Sequence, residues 1–196
     1  MVSPNKIFAS GAYDKATATG KGNWEINLTI NPFNLIPYGQ NYAILSYGLS
    51  DKIDIVSYYA VHKTGLKSIY FGSLYQFINK PYIDLASAIG IRKVYDGSNS
   101  YHLFAPQLLY NVILSKKNTI GGSIVNVIDL GKKLNNKGVA IDLTFYKHLP
   151  FIEKISPKII NAYFGVGIFK NTEMSFLEDP IYFNYSIDIK FNFEKI

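Results

Sequence analysis

Side chains able to do chemistry are few in this chain, and they are scattered. It has three histidines in 196 residues and no cysteine. Without Cys, neither a disulfide nor a thiolate metal site can form. His62 falls in an expected turn, His102 on the apolar phase of an expected strand, and His148 at a strand end. None is spaced with a Ser or a carboxylate as a nucleophile is spaced with its base. Solvated or interfacial histidines are the plain reading, and acid–base work on a lipid substrate is the alternative. Gly121-Gly122 and Gly165-Val166-Gly167 lie inside strand patterns with no helix after them, so they read as bulges or packing sites rather than phosphate cradles. Asp96-Gly97-Ser98-Asn99 lacks the remaining acidic positions of a calcium loop and reads as a turn. No catalytic residue, cofactor or metal is therefore expected.

A second set of polar residues has a rhythm. Glu25, Asp54, Asp84, Arg92, Asp129, Asp142, Asp188 and Lys190 each fall on the polar phase of a segment that alternates polar with apolar. If those phases line one lumen, six carboxylates face two cations there. Such a lining favours cations. It can also pair internally and fill the space, which we prefer because a barrel of about ten strands is near the size that side chains plug. Any conduction should then be small and cation-selective.

These residues need strands to position them. The segment 181–193 sets the pattern. Ile181, Phe183, Tyr185, Ile187, Ile189, Phe191 and Phe193 alternate with Tyr182, Asn184, Ser186, Asp188, Lys190 and Asn192. A strand alternates faces with period two, so one face is apolar and the other polar. Comparable segments are expected at 23–30, 41–49, 53–61, 68–77, 82–94, 101–114, 119–130, 139–147 and 159–170. Pro106 interrupts the sixth, because proline has no N–H for the ladder. Only Lys147 to Ile155 offers a helical turn. Consecutive strands with short links pair as antiparallel neighbours. The expected fold is all-β, a single up-and-down antiparallel barrel of about ten strands (8–12), closed so that no edge is left. Residues 1–22 read as an N-terminal extension, a loop or a frayed terminus. Residues 23–193 form the barrel domain, and 194–196 a tail.

Residue size decides which face is inside. The polar phase carries small residues such as Gly72, Ala86, Ala88, Gly90, Ala140, Gly165 and Gly167, while the apolar phase is bulky. The polar phase holds about one charge per strand, too few for a water-facing exterior. An inverted, transmembrane barrel follows, with greasy residues outward and polar ones inward. A soluble lipocalin-like barrel binding a hydrophobic ligand is the alternative. The links 50–52, 78–81 and 115–118 look short. The links 31–40, 62–67, 95–100, 131–138 and 171–180 look longer, and 148–158 breaks that rule. Tyr42, Tyr58, Tyr101, Phe145 and Tyr146, near strand ends, are candidates for interfacial girdles.

Composition agrees. Hydrophobic residues make up 48% and charged residues only 17%, against about 25% charged in soluble domains. The net charge is +6, but the lysines sit mostly in turns and the one arginine is Arg92. Positive charge so dispersed is a poor nucleic-acid surface, and no nucleic-acid partner is expected. No run approaches the ~18 apolar residues of a transmembrane helix. Met1-Val2-Ser3-Pro4-Asn5-Lys6 carries no signal-peptide core, so export would mean that the signal has been removed.

The alternating strands resemble those of Gram-negative outer-membrane β-barrel proteins. So do the segments Gly22-Asn23-Trp24-Glu25 and Tyr47-Gly48-Leu49-Ser50-Asp51-Lys52-Ile53-Asp54. The C-terminal Tyr185-Ser186-Ile187-Asp188-Ile189-Lys190-Phe191-Asn192-Phe193 is similar to the signal read by the barrel-assembly machinery, with Tyr185, Ile187, Ile189, Phe191 and Phe193 as its readable positions. The chain departs from that signal by continuing through Glu194-Lys195-Ile196. The resemblance implies location in the cell outer membrane, with outer-membrane lipid and the assembly machinery as partners, and a role as a narrow channel, transport-related protein or structural barrel. An outer-membrane lipid hydrolase is a further alternative. The oligomeric state is left open.

Overall fold

The computed structural model describes residues 16–30, 40–62, 65–131, 135–172 and 181–191. Eleven strands are defined among them: β1 Trp24–Ile30, β2 Gln40–Gly48, β3 Ile53–His62, β4 Lys67–Lys80, β5 Ile83–Asp96, β6 Asn99–Phe104, β7 Gln107–Ser115, β8 Asn118–Asp129, β9 Asn135–His148, β10 Ile159–Thr172 and β11 Ile181–Phe191. One short helix, α1 Pro150–Glu153, stands between β9 and β10. Every pairing is antiparallel, and each strand pairs with its chain neighbour except at β6 and β7. β1 pairs with both β2 and β11, with Trp24 opposite Phe191 and Ile30 opposite Tyr185, which closes the sheet on itself.

β6 and β7 both lie between β5 and β8, so they are one stave broken in the middle. The break is Ala105-Pro106, where proline cannot donate. Its neighbours still bond: Ala105 N–H donates to Gly90 O (3.1 Å) and Asn126 N–H to Pro106 O (3.0 Å). The barrel thus has ten staves, as expected. Bulges lie between Gln76 and Ile78, Ile113 and Ser115, Val127 and Ile128, and Ile159 and Asn161. Three of the four stand near strand ends, where extra twist helps a sheet to curl.

One rim carries the links 49–52, 81–82, 116–117 and 149–158, and is called the turn rim below. At the opposite, loop rim, β1, β3, β5, β8 and β10 end. The link expected to be long at 95–100 is a two-residue turn, with Gly97 at φ 59° as a tight hairpin requires. Strand pairing captured Asp96 and Asn99, turn-type residues that hide a strand end.

The alternation holds around the wall. Phe71 is 63% exposed and Phe183 57%, while Asp84 is 4% and Asp142 3% exposed. Bulky side chains point out and carboxylates point in, which is the order of a membrane barrel and the reverse of a soluble one. The interior is nonetheless packed. Ile44, Val56, Leu74, Leu103, Leu109 and Val125 form a core with small residues such as Ala60, Ala86 and Ala88. Tyr42, Tyr58 and Tyr146, expected at the interfaces, are buried inside the barrel instead. Tyrosine's hydroxyl lets it sit in a polar lumen as readily as at an interface. Among the residues proposed for girdles, Phe145 does point outward. The outward aromatics near the turn rim are Trp24 packed on Tyr47 (4.7 Å), with Tyr75, Phe77 and Tyr82.

Candidate functional site

The polar candidates divide by depth. Asp54, Asp84, Arg92, Asp142 and Asp188 are buried within the wall, on strands β3, β5, β5, β9 and β11. Glu25 and Lys190 are partly buried near the turn rim and form an ion pair (3.9 Å) between β1 and β11. Asp129 ends β8 at the loop rim, where its carboxylate accepts from Gly131 N–H (2.9 Å). The eight residues do not form one cluster, but Glu25, Asp84 and Lys190 line one cavity near the turn rim. Tyr185 faces outward on β11, with Ile187, Ile189 and Phe191 partly buried along the same strand; Phe193 lies outside the described residues.

What most of the inner polar groups grip is the chain itself. Residues 16–20, expected as loop or frayed terminus, run along the inner wall just inside the turn rim. Ala16, Ala18 and Thr19 are buried. Ala16 N–H donates to Asn111 Oδ1 on β7 (3.3 Å). Asn111 Nδ2 donates to Thr17 Oγ1 (2.6 Å), whose hydroxyl donates to Asp84 Oδ2 on β5 (3.0 Å). Ala18 N–H donates to Gln76 Oε1 on β4 (3.1 Å), and Thr19 N–H to Asp54 Oδ2 on β3 (2.8 Å). Lys190 Nζ donates to Ala18 O from β11 (3.2 Å). A strap of five residues is thus tied to five strands.

The strap fits because the residues facing it are small. Gly20 O would lie 1.9 Å from a Cβ at Gly48, so only glycine at the end of β2 admits the strap there. Gly20 and Gly22, at φ 84° and 78°, turn the chain from the lumen into β1. Gly22 N–H then bonds Gly48 O (2.9 Å), and Lys21 N–H bonds Asp51 Oδ1 (3.3 Å). The strap covers the β2 to β7 side of the mouth. Beside it remains a polar cavity of about 280 Å³ lined by Thr17, Glu25, Asp84, Asn111, Tyr146 and Lys190.

Deeper in, aromatic rings fill the lumen. Tyr42, Tyr58 and Tyr70 stand on β2, β3 and β4, with centroids 6.1 and 5.5 Å apart, and Arg92 on β5 lies 5.5 Å from the Tyr58 centroid. Arg92 Nη2 donates to Ser68 Oγ (3.0 Å). Opposite, Asp142 accepts from Ser123 N–H (2.9 Å) and from the Ser123 hydroxyl. Asp54 accepts from Thr19 N–H, and Asp84 from the Thr17 hydroxyl, both neutral donors. An ion pair joins Glu25 and Lys190, and hydrogen bonds, tyrosines and the strap share the interior with it.

The histidines stand apart from this interior. His102 is exposed on the outer wall, and His148 pairs with Glu153 of α1, which also accepts from Ala162 N–H (3.3 Å). The side chain of His62 lies outside the described residues. Among the described residues no group of three His, Cys, Asp or Glu is placed to hold a metal ion.

Reasoning from sequence missed the strap and two of its partners, Gln76 and Asn111. One signal was available: Ala16-Thr17-Ala18-Thr19-Gly20 is a run of small residues, the kind that fits a crowded interior. Nothing in the linear chain says that it turns inward.

No family model matches the chain, and no curated protein matches it. Among solved structures it is similar to a bacterial polysaccharide outer membrane secretin at 10% identity and TM-score 0.42, covering 88% of this chain. The chain spans 66% of the length of that structure. It is also similar to a KdgM porin at 7% identity and TM-score 0.47, covering 88% of this chain and 99% of that one. At these values the likeness does not reach beyond architecture, and the functional reading rests on the chain's own residues.

Proposed function

We propose that the protein is an integral outer-membrane barrel whose lumen is closed at rest by its own N-terminal strap, and which conducts only narrowly. The outward greasy wall supports the membrane. The observation that carries the closed state is the strap of residues 16–20, tied to Asn111, Asp84, Gln76, Asp54 and Lys190 across one mouth. Six carboxylates against Arg92 and Lys190 make cations the favoured passengers. Outer-membrane lipid surrounds the wall, and the assembly machinery reads Tyr185, Ile187, Ile189, Phe191 and Phe193. The transport-related and structural roles differ in whether the strap moves.

Planar-bilayer recording tests this. The full chain should give small, cation-selective events, and a chain lacking residues 1–20 should give larger ones. A wide or anion-selective pore from the full chain, or no change on deletion, overturns it. Extraction tests the membrane itself: the protein should need detergent and should migrate differently on a gel before and after heating.

A further inference from the structure

On the outer wall, strands β3 to β6 stack into rows. Ile55, Ser73 and Ile89 form one row, and Phe71, Ile91 and Phe104 the next toward the loop rim. Tyr59, Ile69, Lys93 and His102 follow, then Val61, Lys67 and Tyr95. Ser73 is a small side chain between two isoleucines, so the apolar wall is dented there. The dent continues as a groove of about 760 Å³ past Phe71, Ile91 and Phe104 to Lys93. Lys93 lines its loop-rim end, and two further basic side chains neighbour Lys93 on the same face. Lys93 and His102 are directly opposite across β5 and β6. Lys67 is diagonal to Lys93 across β4 and β5, a spacing of ~7–8 Å. Among the described residues no carboxylate shares this outer face of β3 to β6. Asp96 is nearby but belongs to the inward phase at the turn.

Isolated charges beside hydrocarbon are costly, so two lysines and a histidine gathered on one outer face call for an anionic partner. From the groove and the charges together we infer that this face binds one lipid with a phosphate-bearing, anionic headgroup. Its phosphate lies against Lys67, Lys93 and His102, and an acyl chain fills the groove down to Ser73. From Lys93 to Ser73 is two rows along the pleat, ~13 Å, about the reach of a chain of ten carbons. Lys93 Nζ also lies 5.0 Å from the Tyr95 centroid, which fixes the ammonium near the wall rather than in the loops. The inference rests on the membrane-barrel reading above and names a lipid contact of that barrel.

The test uses the full chain in detergent micelles, offered diphosphorylated lipid A, the same lipid dephosphorylated, or inorganic phosphate, with bound lipid counted by native mass spectrometry. The unaltered chain should retain the phosphorylated lipid and discriminate against the dephosphorylated one, and inorganic phosphate should not compete. K67A and K93A should each weaken retention roughly fivefold, the worth of one lysine near a charged bilayer surface. S73F, which fills the dent and leaves the charges, should weaken it as well. All three positions are on the outer face, so the heat-dependent gel shift should persist. Equal retention of both lipid forms, or retention unchanged in K67A and K93A, overturns the site. A chain that stays dissolved without detergent and shows no gel shift overturns the membrane reading instead.

Discussion

Single residues of the lumen show how rings are seated against backbone. Gly72 and Gly90 are opposite one another on β4 and β5, and the Tyr70 ring lies over both. A Cβ at Gly90 would stand 2.3 Å from Tyr70 Cζ and 2.5 Å from Phe71 O. Gly90→Ala should therefore destabilise by about 1–3 kcal/mol, the usual scale of overpacking. The double variant with Tyr70→Ala should cost less than the two singles summed, because the clashing ring is gone. Urea midpoints of the barrel refolded in vesicles measure this. Asp142 invites a second substitution. Asp142→Ala leaves Ser123 N–H without its partner in a buried site, a loss of about 1–3 kcal/mol. Asp142→Asn keeps an acceptor and should lose less in the same assay.

Two elements have a dependence that can be cut. The strap relies on Gly48, which leaves room for Gly20. Gly48→Val should push residues 16–20 off the wall and leave the strands paired. The expected readout is conductance approaching that of the chain lacking residues 1–20, with the gel shift retained. Helix α1 relies on Glu153, which reaches both His148 and Ala162 N–H. Glu153→Ala should loosen the 149–158 link, so limited proteolysis should cut there sooner while the barrel's urea midpoint moves by less than about 1 kcal/mol. A charge pair partly in solvent adds little to global stability.

Around the whole barrel, Ile89 and its outward neighbours face hydrocarbon. Ile89 is midway along β5 and exposed. Ile89→Arg should cost about 2–4 kcal/mol in vesicles, the penalty for a cation near a bilayer midplane. At an exterior facing water, the same change would be nearly neutral. Urea titration in vesicles separates the two.

Much of the wall was legible in the linear chain. Period-two alternation at Ile83 to Arg92, or at Val139 to Tyr146, names the two faces because strand geometry forces neighbours apart. The size contrast between Ala86 or Gly90 and Ile89 or Ile91 then says which face is concave. Turn chemistry and Pro106 placed most strand breaks, because those residues constrain the backbone locally. The register of β1 on β11, the inward aim of Tyr42, Tyr58 and Tyr146, and the course of residues 16–20 were set by tertiary structure. Each depends on which groups meet across long stretches of chain. Ala16 finds Asn111, and Lys190 finds Ala18, only once the strands between them have curled into a cylinder. A short run of small residues carries no local preference for entering a lumen. It does so because Asp54, Gln76 and Asn111 offer buried acceptors, and buried acceptors need donors.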